Sequence, residues 1–365
     1  MQFPEELYTH EANARKTWEK FPLLDPRLLF LEKSTTRMAL DFGESDYPLH
    51  PIRFALFPGM TTEEINERFS KSMQRGVDAV NSLLAEHLSD QYDFFALREV
   101  PVSFDLNEFI KDAYVNYQSS VRQHAGPRAL LEAYVNLRAM ELGYRVGTID
   151  ESPLVLNAVQ HVHAVRSRLE ALMGFSNSIS SSHEGIQTEW ETSFGVKVYS
   201  YDDTPMHTRV KYLDREGRQR YGSILMKMYR EGEFTEELKD YLGAELIVET
   251  DEERDCLVKL LKKETSLIGH LEKFRDTSKK RHGSASSPDY GVQKYILRVP
   301  VPVVRDLPIG ARFYERIPIE IQVLTIKDHN IRTHQTEVTH KAYKRRQFLE
   351  VFPTLFPRII YEGIR

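Results

Sequence analysis

The sequence predicts an α+β (α/β-like) protein, with a mixed β-sheet flanked by helices in its second half and a mostly helical N-terminal region before it. Apolar runs of strand length alternate with amphipathic, helix-like segments after residue 240; the runs are "GAELIVET", "QKYILRVPVPVV" and "IPIEIQVLTI". In the first 150 residues, apolar side chains instead recur at helical spacing, over 62–88, 104–124 and 127–142. We therefore expect a helical region of unknown role over 1–150 and a sheet domain over 151–365.

The helix beginning near residue 62 shows the clearest periodicity of the N-terminal region. Thr61 or Thr62 can cap it, and apolar residues follow at three- and four-residue steps: Ile65, Phe69, Met73, Val77, Val80 and Leu84. The serine-rich stretch at 176–185 is the best candidate for a domain boundary or a flexible insertion.

Composition limits the class of protein and of partner. The chain has 365 residues, of which 41% are hydrophobic and 28% charged, as in an ordinary globular protein. Its net charge of −5 argues against a broadly basic nucleic-acid coat, so we expect no DNA partner. A single cysteine, no apolar signal segment and no run of about 18 apolar residues predict a cytoplasmic protein without a membrane partner. The sequence is compatible with a homo-oligomer but does not determine the oligomeric state.

Two basic pairs in the second half are candidates for phosphate binding. Arg209 and Lys211 are two residues apart and would share one face of a strand, and Ser223 and Lys227 are four apart and would share one face of a helix. Arginine offers a bidentate fork and lysine a point charge, and both suit a polyphosphate. The alternative for these residues is an ordinary solvated basic surface.

Two carboxylates lie on or next to apolar strands. Asp240 comes just before "GAELIVET", and Glu320 alternates with buried-type isoleucines in "IPIEIQVLTI". One carboxylate from each of two strands can hold Mg²⁺ against substrate phosphates. The alternatives are a turn residue at 240 and a solvent-facing side chain at 320.

The order of these pieces resembles the synthetase domain of the RelA/SpoT family, the nucleotidyltransferase-like enzymes that make the alarmones pppGpp and ppGpp. The resemblance covers residues 205–347. It is carried by "LKDYLGAELIVETDEERDCLVKLL" and by "EIQ" followed by "HKAYK".

The resemblance implies an ATP-dependent pyrophosphokinase that transfers pyrophosphate to the 3′-hydroxyl of a guanine nucleotide. It implies Mg²⁺ held by Asp240 and Glu320, with Glu320 also acting as the base. It implies that the ATP and phosphate ligands are Arg209, Lys211, Ser223, Lys227, His340 and Lys344. Tyr290 would stack on the acceptor base. No His-Asp dipeptide, the mark of the family's hydrolase domain, is present, so alarmone hydrolysis is not predicted.

The chain departs from the family pattern at the acceptor site. Glu245 and Leu324 stand where the family has arginines, and Lys294 stands where it has a histidine. Three hypotheses remain open: a guanine nucleotide acceptor at an altered site, the 3′ end of tRNA as the acceptor of a translation-blocking toxin, and a degenerate module that binds nucleotide without catalysis.

Overall fold

The computed structural model describes residues 5–12, 57, 59–100, 109, 116, 127–180, 188–202, 204–231, 238–268, 270–276, 292–303, 313–334 and 336–361. By internal contacts the chain divides into two compact units. Unit one takes residues 1–152, 214–235 and 344–365, and unit two takes 153–213 and 236–343. The functional division at residue 150 stays a prediction.

Seven helices of nine or more residues are described: α1 (Thr62–His87), α2 (Pro127–Asp150), α3 (Ala158–Met173), α4 (Tyr221–Glu231), α5 (Asp251–Ile268), α6 (Ile326–His334) and α7 (Thr336–Leu355). Short helical turns occupy Glu5–Tyr8, Ser89–Gln91, Tyr92–Phe95, Pro153–Leu156 and Arg358–Tyr361. Within the described ranges, no helix combines the length and the hydropathy needed to cross a bilayer.

Helix α1 confirms the N-terminal periodicity. All six predicted apolar positions are buried. Thr61, and not Thr62, is the cap: its hydroxyl accepts from the Glu64 amide at 3.3 Å, and the Glu64 carboxylate accepts from the Thr61 amide at 2.8 Å. The pair satisfies two backbone donors that the first turn leaves without helical partners.

Helices α1 and α2 approach each other closely through glycines. A Cβ on Gly143 would lie 2.2 Å from Cγ of Met73, and one on Gly76 would lie 2.6 Å from Cβ of Leu142. Helix α2 also runs to Asp150 and not to residue 142 as expected. Packing against α1 outweighs the low helix propensity of Gly143, because only glycine fits at that contact.

Eight strands form one mixed sheet in unit two: β1 (Ser176–Ser180), β2 (Thr188–Glu191), β3 (Lys197–Ser200), β4 (His207–Val210), β5 (Leu242–Val248), β6 (His270–Asp276), β7 (Gln293–Val303) and β8 (Phe313–Thr325). Their order is β1-β2-β3-β5-β8-β7-β6, and β4 also pairs with β5. Strands β5 and β8 are parallel, and the other pairs are antiparallel. The α+β class is thus confirmed.

The prediction of a domain boundary or a flexible insertion is wrong for the first five residues of the serine-rich stretch. Residues 176–180 form β1, which pairs with β2, and 181–187 lie outside the described residues. Strand β1 is at the end of the sheet order, and an edge strand need not show the apolar alternation that marks an interior strand.

The two faces of the central strands differ in chemistry. On one face lie Ala244, Leu246, Ile321 and Val323, which are all buried. Helix α5 covers this face, and the Gln293 amide donates to Asp255 of α5 at 2.9 Å. Glu245 of β5 and Glu320 and Gln322 of β8 therefore project from the opposite face, which is called the polar face below.

Candidate functional site

Strand pairing brings the predicted residues of β4, β5 and β8 into one row on the polar face. Gly243 of β5 lies directly opposite Arg209 on one side and Glu320 on the other. Directly opposed residues of neighbouring strands project from the same face of a sheet. Arg209, Gly243 and Glu320 therefore form a row across three strands, and the Arg209 side chain in it is exposed.

A second row lies two residues further along the strands. Glu245 is opposite Gln322, and Gln322 is opposite Lys294 of β7. The two rows are about 7 Å apart, the length of two residues in a strand. A third row is apolar: Leu324, opposite Ile247, is fully buried. The polar region thus ends at this row, because a charged group at position 324 would be buried among apolar side chains.

Lys211 crosses the sheet to reach Glu320. Its amide donates to the Tyr241 carbonyl at 2.9 Å, which places it just before the first row. Its side chain passes over Gly243, where an added Cβ would lie 2.8 Å from the Lys211 Cε. The Lys211 ammonium donates to the Glu320 carboxylate. Glycine at 243 therefore opens the path by which Lys211, just after β4, reaches a carboxylate of β8.

Glu320 is a buried anion held by cations. Its side chain is 10% exposed, and the Gln322 amide also donates to it. The Lys294 ammonium lies 3.8 Å from its Oε1. Burial acts to raise the pKa of Glu320, but Lys211 and Lys294 outweigh burial and lower that pKa to about 2. Glu320 does not face open water, so the solvent-facing alternative is excluded, and the carboxylate is ionised at neutral pH.

Asp240 is the second carboxylate near Lys211. The Tyr212 hydroxyl lies 3.4 Å from its Oδ1, within hydrogen-bonding distance. Burial lowers the pKa of the Lys211 ammonium, while the charges of Glu320 and Asp240 act in the opposite direction. An ammonium group thus sits in the field of the two carboxylates that the family resemblance assigns to a metal ion.

The two carboxylates suit Mg²⁺, which takes one or two carboxylates and completes its shell with water and substrate phosphates. Across the described ranges, no group of three or more His, Cys, Asp or Glu side chains could hold a metal ion. Asp240 and Glu320 would therefore need phosphate oxygens and water as the remaining ligands.

Helix α6 adds an arginine to the second row. The Arg332 guanidinium donates to Glu245 Oε1 at 2.6 Å and lies 3.4 Å from the Gln322 side-chain oxygen. His329 Nδ1 is 2.9 Å from the same Glu245 oxygen. Burial acts to raise the pKa of Glu245, but the hydrogen bond to His329 and the charge of Arg332 lower it to about 2.

Of the remaining predicted residues, three lie in unit one, and the side chains of the other two lie outside the described residues. Ser223 and Lys227 lie on α4, and Lys344 lies on α7, in segments of unit one. The Lys227 ammonium donates to Glu231 on the same helix. The backbone of His340 is helical, but its side chain lies outside the described residues, as does all of Tyr290. The roles of these five residues stay predictions.

Two cations on the polar face, Lys294 and Arg332, were not selected as ligands from the sequence. In the sequence, Lys294 is notable only as a departure from the family pattern, where a histidine is usual. In the structure, its position on β7 puts it beside Glu320. Arg332 gives no motif signal, because its approach to Glu245 depends on how α6 turns back over β8. A helix directly following β8 is the one sequence feature that could have drawn attention to it.

Comparison with known proteins adds little. No protein-family model matches the chain, and no curated protein matches it. Among solved structures, the small alarmone synthetase 2 from Bacillus subtilis aligns with 44% of this chain and 76% of its own, at 19% identity and a TM-score of 0.28. This neighbour is an enzyme by its name, but a similarity of this size carries no argument about activity here.

Proposed function

We propose that the chain is an ATP-dependent pyrophosphokinase that transfers pyrophosphate from ATP to the 3′-hydroxyl of a guanine nucleotide. One observation carries the proposal: Glu320 is a buried, ionised carboxylate that Lys211 and Lys294 contact on a sheet face where Arg209 is exposed. The RelA/SpoT-like order of the residues supports the same assignment. Cations that can stabilise phosphate charge, next to a carboxylate that can accept a proton, suit polyphosphate chemistry.

In the proposed reaction the acceptor 3′-oxygen attacks the β-phosphorus of ATP. A bond forms between that oxygen and the β-phosphorus, the bond from the β-phosphorus to the α–β bridging oxygen breaks, and AMP leaves. The hydroxyl proton passes to Glu320 and then to solvent. Arg209 and Lys211 would balance the charge that develops on the transferred and leaving oxygens.

Glu320 cannot be an effective base while Lys211 holds it, because a carboxylate with a pKa of about 2 binds a proton weakly. We propose that the Lys211 side chain changes its partner when ATP binds, and that its ammonium then contacts the ATP phosphates instead of Glu320. Glu320 is then free to face the acceptor hydroxyl. Mg²⁺, when bound at Asp240 and Glu320, would supply further charge for the phosphates.

The test offers purified protein ATP labelled at the γ-phosphate, Mg²⁺, and GTP, GDP or total tRNA in parallel. Glu320→Gln keeps the shape of the side chain and should lower the transfer rate by about 10²- to 10⁴-fold, the usual contribution of a positioned acid–base group. Glu315→Gln, at an exposed position of the same strand, is the matched control and should retain the wild-type rate.

The distribution of the label decides between the alternatives. Label on a guanine nucleotide, lost in Glu320→Gln but not in Glu315→Gln, supports the proposal. Label on tRNA alone would replace the guanine acceptor by the tRNA 3′ end. ATP binding with no transfer to any acceptor would leave a non-catalytic nucleotide-binding module.

A further inference from the structure

Arg332 is the one guanidinium that the described contacts place at the second row of the polar face. It extends from α6, its side chain is 22% exposed, and it touches Glu245 of β5 and Gln322 of β8. Gln322 in turn donates its amide to Glu320. A continuous chain of polar contacts therefore links Arg332 to the proposed catalytic carboxylate.

Arg332 and Lys211 approach Glu320 from opposite directions along the strands. Lys211 comes from the side of Tyr241, where β5 begins. Arg332 comes from α6, which starts where β8 ends, and contacts the row beyond Glu320. An anion held by Lys211 and an anion held by Arg332 would thus lie on either side of Glu320.

The charges of the second row favour an anion there. Arg332 and Lys294 bring two positive charges, and Glu245 brings one negative charge. Lys294 lies opposite Gln322 in register, so it borders the same row as Arg332. Lys294 also lies 3.8 Å from Glu320, which Lys211 contacts, so three cations, Lys211, Lys294 and Arg332, face the two carboxylates Glu245 and Glu320.

A guanidinium that is paired with Glu245 can still donate hydrogen bonds to a second anion. Arginine has five N–H donors in a fixed plane and can serve a carboxylate and a phosphate at the same time. Glu245 and His329 then fix the orientation of the group, much as second-sphere partners orient a metal ligand.

We propose that Arg332, together with Lys294, forms the subsite for the 5′-phosphates of the acceptor nucleotide, on the opposite side of Glu320 from the ATP phosphates. This inference rests on the proposed function. It gives the acceptor a guanidinium from α6 in place of the arginines missing at 245 and 324, and it makes the acceptor a nucleoside 5′-di- or triphosphate.

The test measures equilibrium binding of GDP, guanosine and the non-reactive ATP analogue α,β-methylene-ATP by calorimetry, and the KM for GDP and ATP. Arg332→Gln should weaken GDP binding by about 10- to 100-fold, the loss expected for charge-assisted hydrogen bonds to a phosphate. Guanosine and the ATP analogue should bind as in wild type, and only the KM for GDP should rise. Arg316→Gln, at an exposed position of β8, is the control.

A double variant separates phosphate binding from a purely structural ion pair. Glu245→Gln with Arg332→Gln removes both charges, so it leaves no buried carboxylate without its cation even if Arg332→Gln alone folds poorly. GDP binding that stays weak in the double variant supports the subsite. Wild-type GDP binding in the double variant, or no GDP binding by the wild-type chain, overturns it.

Failure of the inference differs from failure of the proposed function. Pyrophosphate transfer with an unchanged KM for GDP in Arg332→Gln would remove the subsite and leave the function. Tight GDP binding that depends on Arg332, without any transfer, would leave the subsite and remove the function.

Discussion

Gly243 links sequence to chemistry at the residue scale, because the Lys211 side chain passes over it to reach Glu320. Any other side chain at 243 would occupy that path. The glycine lies in a strand that is buried throughout and whose one charged residue is Glu245; glycine is normally unfavourable in the interior of a strand. Its presence is explained by the passage of a charged side chain.

Gly243→Ala should therefore weaken the binding of an ATP analogue, because the new methyl group displaces Lys211 from its path. We expect about a 10-fold loss in affinity, the size of one charge-assisted contact. The same substitution made in a Lys211→Ala background should have little further effect, as in a double-mutant cycle. An equal loss in both backgrounds, measured by calorimetry, would show that Gly243 does not act through Lys211.

Glu245 makes the stability of unit two depend on pH. Its pKa is about 2, below the ordinary 4.5 of an unfolded glutamate. It therefore stabilises the fold above pH 4.5 and loses that contribution as the pH falls toward 2. Glu245→Gln should reduce the loss of unfolding free energy between pH 5 and pH 3, measured in urea. A slope equal to that of wild type would contradict the assignment; Glu252→Gln, at an exposed position of α5, is the control.

Sequence reasoning selected Lys211 and Glu320, which the structure joins, because the RelA/SpoT-like order of the residues singles them out; Lys211 lies just after β4, and Glu320 lies on β8. It did not select Lys294 or Arg332 as ligands. The contacts of Lys294 with Glu320 and of Arg332 with Glu245 depend on which strands become neighbours and on where α6 lies. Those are long-range properties, and no short pattern in the sequence encodes them.

At the scale of elements, α2 is tied to its neighbours in unit one by a buried charged network. Glu141 accepts from both Arg138 and Arg145, and the Tyr229 hydroxyl of α4 donates to it at 3.0 Å. Arg138 also donates to the Thr354 carbonyl near the end of α7 at 3.0 Å. One carboxylate thus connects three helical segments.

Glu141→Gln should destabilise the protein by about 3–5 kcal/mol, because it leaves two buried guanidinium groups without their anion. Glu132→Gln on the same helix removes an exposed partner of Arg98 and should cost no more than about 1 kcal/mol. Urea unfolding followed by far-UV circular dichroism measures both. Equal losses for the two variants would contradict the buried role of Glu141.

Helices and strands could be predicted where the apolar residues follow one clear pattern. Strands β5, β7 and β8 and helix α1 follow from apolar runs or three- and four-residue steps. The length of α2 and the identity of β1 could not be predicted, because glycines inside a helix and serines at a sheet edge are decided by their neighbours in space.

At the scale of the whole molecule, unit one is assembled from three separate stretches of the chain. The α4 side chains Ile224 and Met228 are fully buried, and the Tyr221 hydroxyl donates to Asp150 at 2.6 Å. Gly222 approaches Leu83 of α1 so closely that a Cβ would lie 3.3 Å from its Cγ. Helix α4 therefore belongs to the core that α1 and α2 build.

A fragment of residues 151–365 should fold less stably than the full chain, because it keeps α4 but loses the helices that bury it. We expect a lower midpoint of thermal unfolding and binding of a hydrophobic dye to the exposed face. Adding residues 1–150 as a separate chain should reverse both effects. A monodisperse fragment with the midpoint of the full chain would show that the cores of the two parts are independent.

The measurement that tests the central claim most directly follows each phosphate of ATP. Protein, Mg²⁺ and GDP are incubated with ATP labelled at the α-, β- or γ-position, and the products are separated. Pyrophosphate transfer predicts that the β- and γ-labels both appear on the guanine nucleotide and that the α-label remains in AMP. Transfer of the γ-label alone, transfer of the α-label with release of pyrophosphate, or hydrolysis without an acceptor would contradict the account.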